Sequence, residues 1–119
     1  SIYKRISSVN NNKELSSLVI EIRDRFGNVP KQLLNLFSLI EIKILCIKYN
    51  IDLFEFTRKG IVIGFYNNKP TNSQKLLDLT MVRNSQYILR PDQKIFYDFR
   101  GNLEDNRFNL SKKIIEQIK

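Results

Sequence analysis

Apolar residues in the first half of the chain recur with a helical period, and those in the second half fall into short strand-like runs. Residues 2–9 make a short helical segment with Ile2, Ile6 and Val9 on one side. The Asn10-Asn11-Asn12 run interrupts that pattern, and Asn11 followed three positions later by Glu14 predicts a capping box. From Lys13 to Phe26, the residues Leu15, Leu18, Val19, Ile22 and Phe26 form one amphipathic stripe, so Ile22 and Phe26 are expected to face a core. Gly27 stops that helix, and Pro30 is placed for the first turn of the next.

The segment from Pro30 to Tyr49 is the most apolar in the chain. Leu33, Leu36, Phe37, Ile40, Ile44 and Ile47 make one face, and Leu34, Leu39, Ile42, Leu45 and Cys46 make a second, so burial on two sides is expected. Cys46 reads there as a small core residue. The period then changes. Residues Ile51–Thr57 and Gly60–Tyr66 are rich in Ile, Val and Phe, and Arg58-Lys59-Gly60 joins them as a hairpin. After Asn67-Asn68-Lys69-Pro70, a cap at Thr71 or Asn72 opens a helix through Leu76, Leu77, Leu79, Thr80 and Val82. Tyr87–Arg90 and Lys94–Phe99 form a second hairpin turning at Pro91-Asp92, and Gly101-Asn102 closes it. Leu110, Ile114, Ile115 and Ile118 mark a final amphipathic helix. The expected fold is α+β: a small, mainly antiparallel sheet of two hairpins packed with four to five helices, in a single domain over residues 1–119.

Composition narrows the chemistry. The 119 residues include no His and one Cys, which excludes His-based acid–base catalysis, Ser-His triads and thiolate zinc sites. The four glycines are scattered and no phosphate-cradling motif occurs. No apolar run approaches the roughly 18 residues of a membrane span, and an unpaired cysteine fits a reducing, cytoplasmic setting. The chain opens on Ser1 instead of methionine, which suggests a fragment or processed product. The 20 Lys and Arg against 12 Asp and Glu give +8. Those cations are dispersed, and the heavy use of Lys, Asn and Ile with no Ala matches an AT-rich coding bias as well as a nucleic-acid footprint.

The most informative polar cluster is Glu21-Ile22-Arg23-Asp24-Arg25-Phe26-Gly27. On a helix Glu21, Asp24 and Arg25 stand at i, i+3 and i+4 and share one side, while Ile20 falls off the apolar stripe and borders them. Two readings fit: a solvated face with a weak Glu21–Arg25 pair, or a charged docking surface where these residues supply register and specificity. An enzymatic reading has only carboxylates, Lys, Tyr or Ser to use. Glu104 and Asp105, adjacent in sequence, point about 100° apart on a helix and fit better near the start of the last helix. Tyr66, Tyr87 and Tyr97 either stack bases or make cross-strand pairs.

Ser1-Ile2-Tyr3-Lys4-Arg5-Ile6, then Glu14-Leu15, then Glu21 through Pro30 with the D-R-F-G-x-x-P pattern occur in order at short spacing. With Leu33-Leu34 and the long apolar helix ending in Tyr49-Asn50-Ile51, they resemble the C-terminal domain of the bacterial transcription-repair coupling factors, the Mfd family. The resemblance spans the chain, is strongest through residue 66, and afterwards rests on the order strand–helix–strand–strand–helix. It implies a non-catalytic regulatory domain of a large ATP-dependent DNA translocase that displaces stalled RNA polymerase and recruits nucleotide excision repair. ATP, Mg, RNA polymerase and double-stranded DNA are then met by other parts of the parent protein. It further implies an autoinhibitory clamp that docks on the parent's UvrB-like module and masks its UvrA-binding surface. In that family the docking face includes the E-x-x-D-R segment, which falls here on Glu21, Asp24 and Arg25, with Ile20 beside them. The alternative function is a small basic module that binds nucleic acid without sequence preference.

Overall fold

Asn11 caps a 15-residue helix in the N-terminal part. Its side chain accepts from the Glu14 amide at 2.9 Å, while the Glu14 carboxylate accepts from the Asn10 amide at 3.2 Å. Reciprocal capping of this kind satisfies amides that the first helical turn leaves open. In the computed structural model, which describes residues 2–102 and 106–119 and the side chains from residue 4 onward, α1 spans Ile2–Ser7, α2 Asn12–Phe26 and α3 Lys31–Lys48. Gly27 ends α2 at φ +72°, donating its amide to the Arg23 carbonyl at 2.8 Å. Pro30 stands one residue ahead of α3, where its carbonyl accepts from Leu33 and Leu34.

The chain divides into two compact units, residues 1–45 and 46–119, and the division falls inside α3. No break in composition marks that point, because the helix runs through it uninterrupted. The first unit is helical. Ile6 and Val9, then Leu15, Leu18 and Ile22 of α2, and Leu33, Phe37, Ile40 and Ile44 of α3 form its buried cluster. Lys43 secures the turn after α1 by donating to the Ser7 and Val9 carbonyls at 3.0 and 3.3 Å.

Two expectations are corrected here. Phe26 is 57% exposed, because the buried part of the α2 stripe stops at Ile22 and Phe26 is the last helical residue. The second apolar face of α3 is also open in part: Leu34 and Leu39 are exposed, as is Ile47 of the first predicted face, while Ile42, Leu45 and Cys46 are half-buried. Within residues 1–45 the buried cluster draws on one side of α3 only, so apolar composition exceeds the cover available. Desolvation pushes the Cys46 thiol up to about 11, which leaves it protonated near neutral pH. The expected position of Ile2 lies outside the described side chains.

The second unit holds the sheet. Strands β1 (Ile51–Phe56), β2 (Gly60–Phe65), β3 (Tyr87–Leu89) and β4 (Ile95–Asp98) lie in the order β1-β2-β4-β3, and every neighbouring pair is antiparallel. Helix α4 (Ser73–Met81) connects the hairpins, and α5 (Arg107–Ile118) follows them. The expected α+β class and its two hairpins are therefore observed, with five α-helices among the described residues. Strand β2 sits centrally and is buried at every position but Val62, as a strand paired on both edges requires. Gly60 makes the β2–β4 approach possible: a Cβ there would collide with the Tyr97 carbonyl oxygen and the Phe96 ring. Ile61, Ile63, Ile95, Ile114, Ile115 and Ile118 are almost wholly buried in this unit. Asn72 caps α4 through the Lys75 amide, one of the two candidates read from the sequence, and Asn106 caps α5 through the Asn109 amide. Glu104 and Asp105 lie outside the described residues.

Candidate functional site

The core stripe of α2 turns Leu15, Leu18 and Ile22 inward, so a helix of this pitch must present Ser17, Ile20, Glu21 and Asp24 outward. Ile20 is 60% exposed, Asp24 and Arg25 are exposed, and Glu21 is partly exposed. Glu21, Asp24 and Arg25 therefore share one side of α2, as their spacing predicts, with Ile20 at its edge beside Asp24, and none of the four fills the buried cluster.

Glu21 has a partner that spacing along α2 does not reveal. Arg5 of α1 donates from Nη1 and Nη2 to the two carboxylate oxygens at 3.0 and 2.5 Å, forming a fork between residues 16 positions apart. Planar guanidinium matches carboxylate geometry in this way, so the pair fixes orientation as well as charge. The hydrogen bonds from Arg5 hold the Glu21 carboxyl below the usual carboxylate range; the Arg5 charge, and then that of Arg25, act in the same sense, and modest burial opposes them. Arg25 itself lies over the Phe26 ring, 5.7 Å from its centre. In place of the Glu21–Arg25 pair of the solvated-face reading, the ion pair here is Glu21–Arg5, with Arg25 a neighbouring charge. Asp24, one turn along, forms no side-chain hydrogen bond or ion pair among the described residues.

Beside this face runs a shallow groove of about 390 Å³ between the end of α1 and α2, with Arg5, Ser8, Lys13, Ser17 and Glu21 along it. Among the described residues no group of three or more Cys, Asp or Glu is placed to hold a metal ion. No helix among them is long and apolar enough to cross a membrane. Tyr87 and Tyr97 are buried and meet as a cross-strand pair, ring centres 5.1 Å apart, leaving Tyr66 as the exposed member of the three tyrosines considered for base stacking. Sequence reading missed Arg5 and misplaced Phe26. Arg5 carried a signal only through its place in the Y-K-R-I motif, and Phe26 through its position directly before the helix-ending glycine.

Fold and site together define an α+β domain whose distinctive surface is a mixed-charge helix face. Residues 1–76 match the family model described as the TRCF domain, and the chain belongs to that family. It is 34% identical to the transcription-repair-coupling factor of Rickettsia conorii over 81% of this chain and 8% of that protein. The corresponding values are 29%, over 92% of this chain and 9% of that protein, for the factor of Haemophilus influenzae. For Escherichia coli they are 32%, 75% and 8%. The chain thus spans less than a tenth of these curated relatives. Among solved structures, the crystal structure of the C-terminal domain of transcription-repair coupling factor superposes with a TM-score of 0.69 at 18% identity, over 98% of this chain and 74% of that chain. That likeness shows a shared fold.

Proposed function

We propose that this domain is a regulatory clamp, acting by docking the α2 face on the UvrB-like module of a longer DNA translocase and masking the surface that recruits UvrA. One observation carries the reading: Glu21, Asp24 and Arg25 share one side of α2 with Ile20 at its edge beside Asp24, and none of the four belongs to the buried cluster. A clamp that has to open suits an interface with a large charged share, since such contacts give register and specificity without the permanence of a broad apolar seam. ATP and Mg belong, in this reading, to the motor elsewhere in the longer protein, as do contacts with RNA polymerase and double-stranded DNA. Family membership supports the reading; a cytoplasmic setting follows from it.

The test is to replace Glu21, Asp24 and Arg25 together with Ala in the full-length protein and titrate UvrA. A weakened clamp raises the open fraction, and apparent UvrA affinity rises in proportion. Unchanged affinity returns the patch to a solvated helix face. The alternative, sequence-independent nucleic-acid binding, would show as DNA affinity of the 119-residue chain falling steeply with salt.

A further inference from the structure

We propose that Arg5 is a positioning residue of this docking face: it occupies Glu21, so that Asp24 is the carboxylate left to pair with a basic group on the partner. The inference rests on the docking reading above and assigns unequal roles to two carboxylates that spacing alone makes equivalent.

The geometry separates them. Both Glu21 oxygens receive a guanidinium N–H from Arg5, and the two side chains lie half-exposed at 52% and 40%. The fork is therefore formed in water, before any partner arrives, and the Glu21 charge is balanced within the domain. Asp24 stands three positions on, exposed and without such a partner among the described residues. Ile20, four positions before Asp24 and 60% exposed, lies beside it on the same side. A partner covering Ile20 would exclude water from the Asp24 carboxylate and strengthen whatever charge it meets.

Formal charge points the same way. Arg5 and Arg25 offset Glu21 and Asp24, so this group of four is neutral as built. Removing the Arg5 charge leaves it net acidic and releases Glu21 as a second acceptor for the basic partner. Losing Arg5 should therefore close the clamp further, whereas a merely structural residue at this position would loosen it. The partner chemistry implied is cationic, a guanidinium or ammonium group seated next to an apolar contact.

The experiment is UvrA titration of full-length protein carrying Arg5→Gln, Arg5→Lys, Glu21→Gln, Asp24→Asn, or the Glu21/Asp24/Arg25 triple Ala, with thermal melts of each. Asp24→Asn should raise apparent UvrA affinity about fivefold or more, the range of ordinary coupling between sites. Arg5→Gln should lower it, Arg5→Lys should restore the wild-type value because the charge is kept, and the Arg5→Gln/Glu21→Gln double variant should return close to wild type. Arg5→Gln raising UvrA affinity would overturn the assignment. So would Asp24→Asn leaving affinity unchanged while triple Ala raises it; the docking reading would survive that result. Triple Ala without effect would overturn both.

Discussion

Neighbouring helices α2 and α3 present opposite surfaces. Outside its buried stripe α2 shows carboxylates, arginines, Ile20 and the terminal Phe26, whereas α3 leaves Leu34, Leu39 and Ile47 exposed beside half-buried Ile42 and Leu45. On α2, burial follows periodicity as far as Ile22 because apolar and polar positions are largely separated up to there, with Ile20 off the stripe and Phe26 past its buried end. On α3 they cannot, since apolar residues occur on every side and only neighbouring elements decide which are covered. A helix's own sequence reports what it is able to bury; its partners decide what it does bury.

The largest break in this comparison comes from the buried sides, where the two helices should behave alike. Ile22→Ala in α2 and Ile40→Ala or Ile44→Ala in α3 remove side chains that are 1% or 6% exposed, and each should cost about 2–5 kcal/mol in denaturant unfolding. Near-neutral melts for the α3 changes would remove that helix from the core. Next in size is Asn11→Ala, which deletes the cap on Glu14 and should cost about 1 kcal/mol. Glu14→Ala in the same background should then add less than it does alone, because the two side chains share one capping arrangement.

Smaller effects sharpen the contrast between the outward sides. Leu39 is 66% exposed, so Leu39→Ala should stay within about ±0.5 kcal/mol. A larger loss would mean that α3 is covered on its second side after all. The Glu21–Arg5 fork predicts a pH dependence of definite sign. Because folding depresses the Glu21 pKa below its ordinary 4.5, the stabilisation is fully present above that value and disappears as pH falls through the folded-state value. The difference in unfolding free energy between wild type and Glu21→Gln should accordingly shrink toward zero in acid. A difference that persists at low pH would mean that packing, and not the charge, carries the contact.

Much of this was legible in the residues. The capping pair Asn11 and Glu14, the stop at Gly27, both hairpins and the buried side of α5 follow from local chemistry that each segment contains. The outward face of α2 was legible for the same reason, since i, i+3 and i+4 positions meet on any helix. What escaped depends on contacts distant in sequence. Arg5 reaches Glu21 across 16 positions, the β2–β4 pairing joins two separate hairpins, and the exposure of Phe26 reflects where its neighbours stop. Periodicity holds no record of such meetings. The resemblance drew attention to the E-x-x-D-R segment without indicating that one of its carboxylates is already paired within the domain.

The most direct test of the docking account reverses charge on the outward face of α2. Glu21→Lys with Asp24→Lys, introduced into the full-length protein, adds repulsion against a basic partner surface where alanine merely removes attraction. Apparent UvrA affinity should rise from wild type to triple Ala and again to the reversed variant. The spacing between them should narrow at high salt as the exposed charges are screened. Melts of the 119-residue chain carrying each set serve as the control for folding. Equal UvrA affinity across all three proteins, with melts unchanged, would contradict the account.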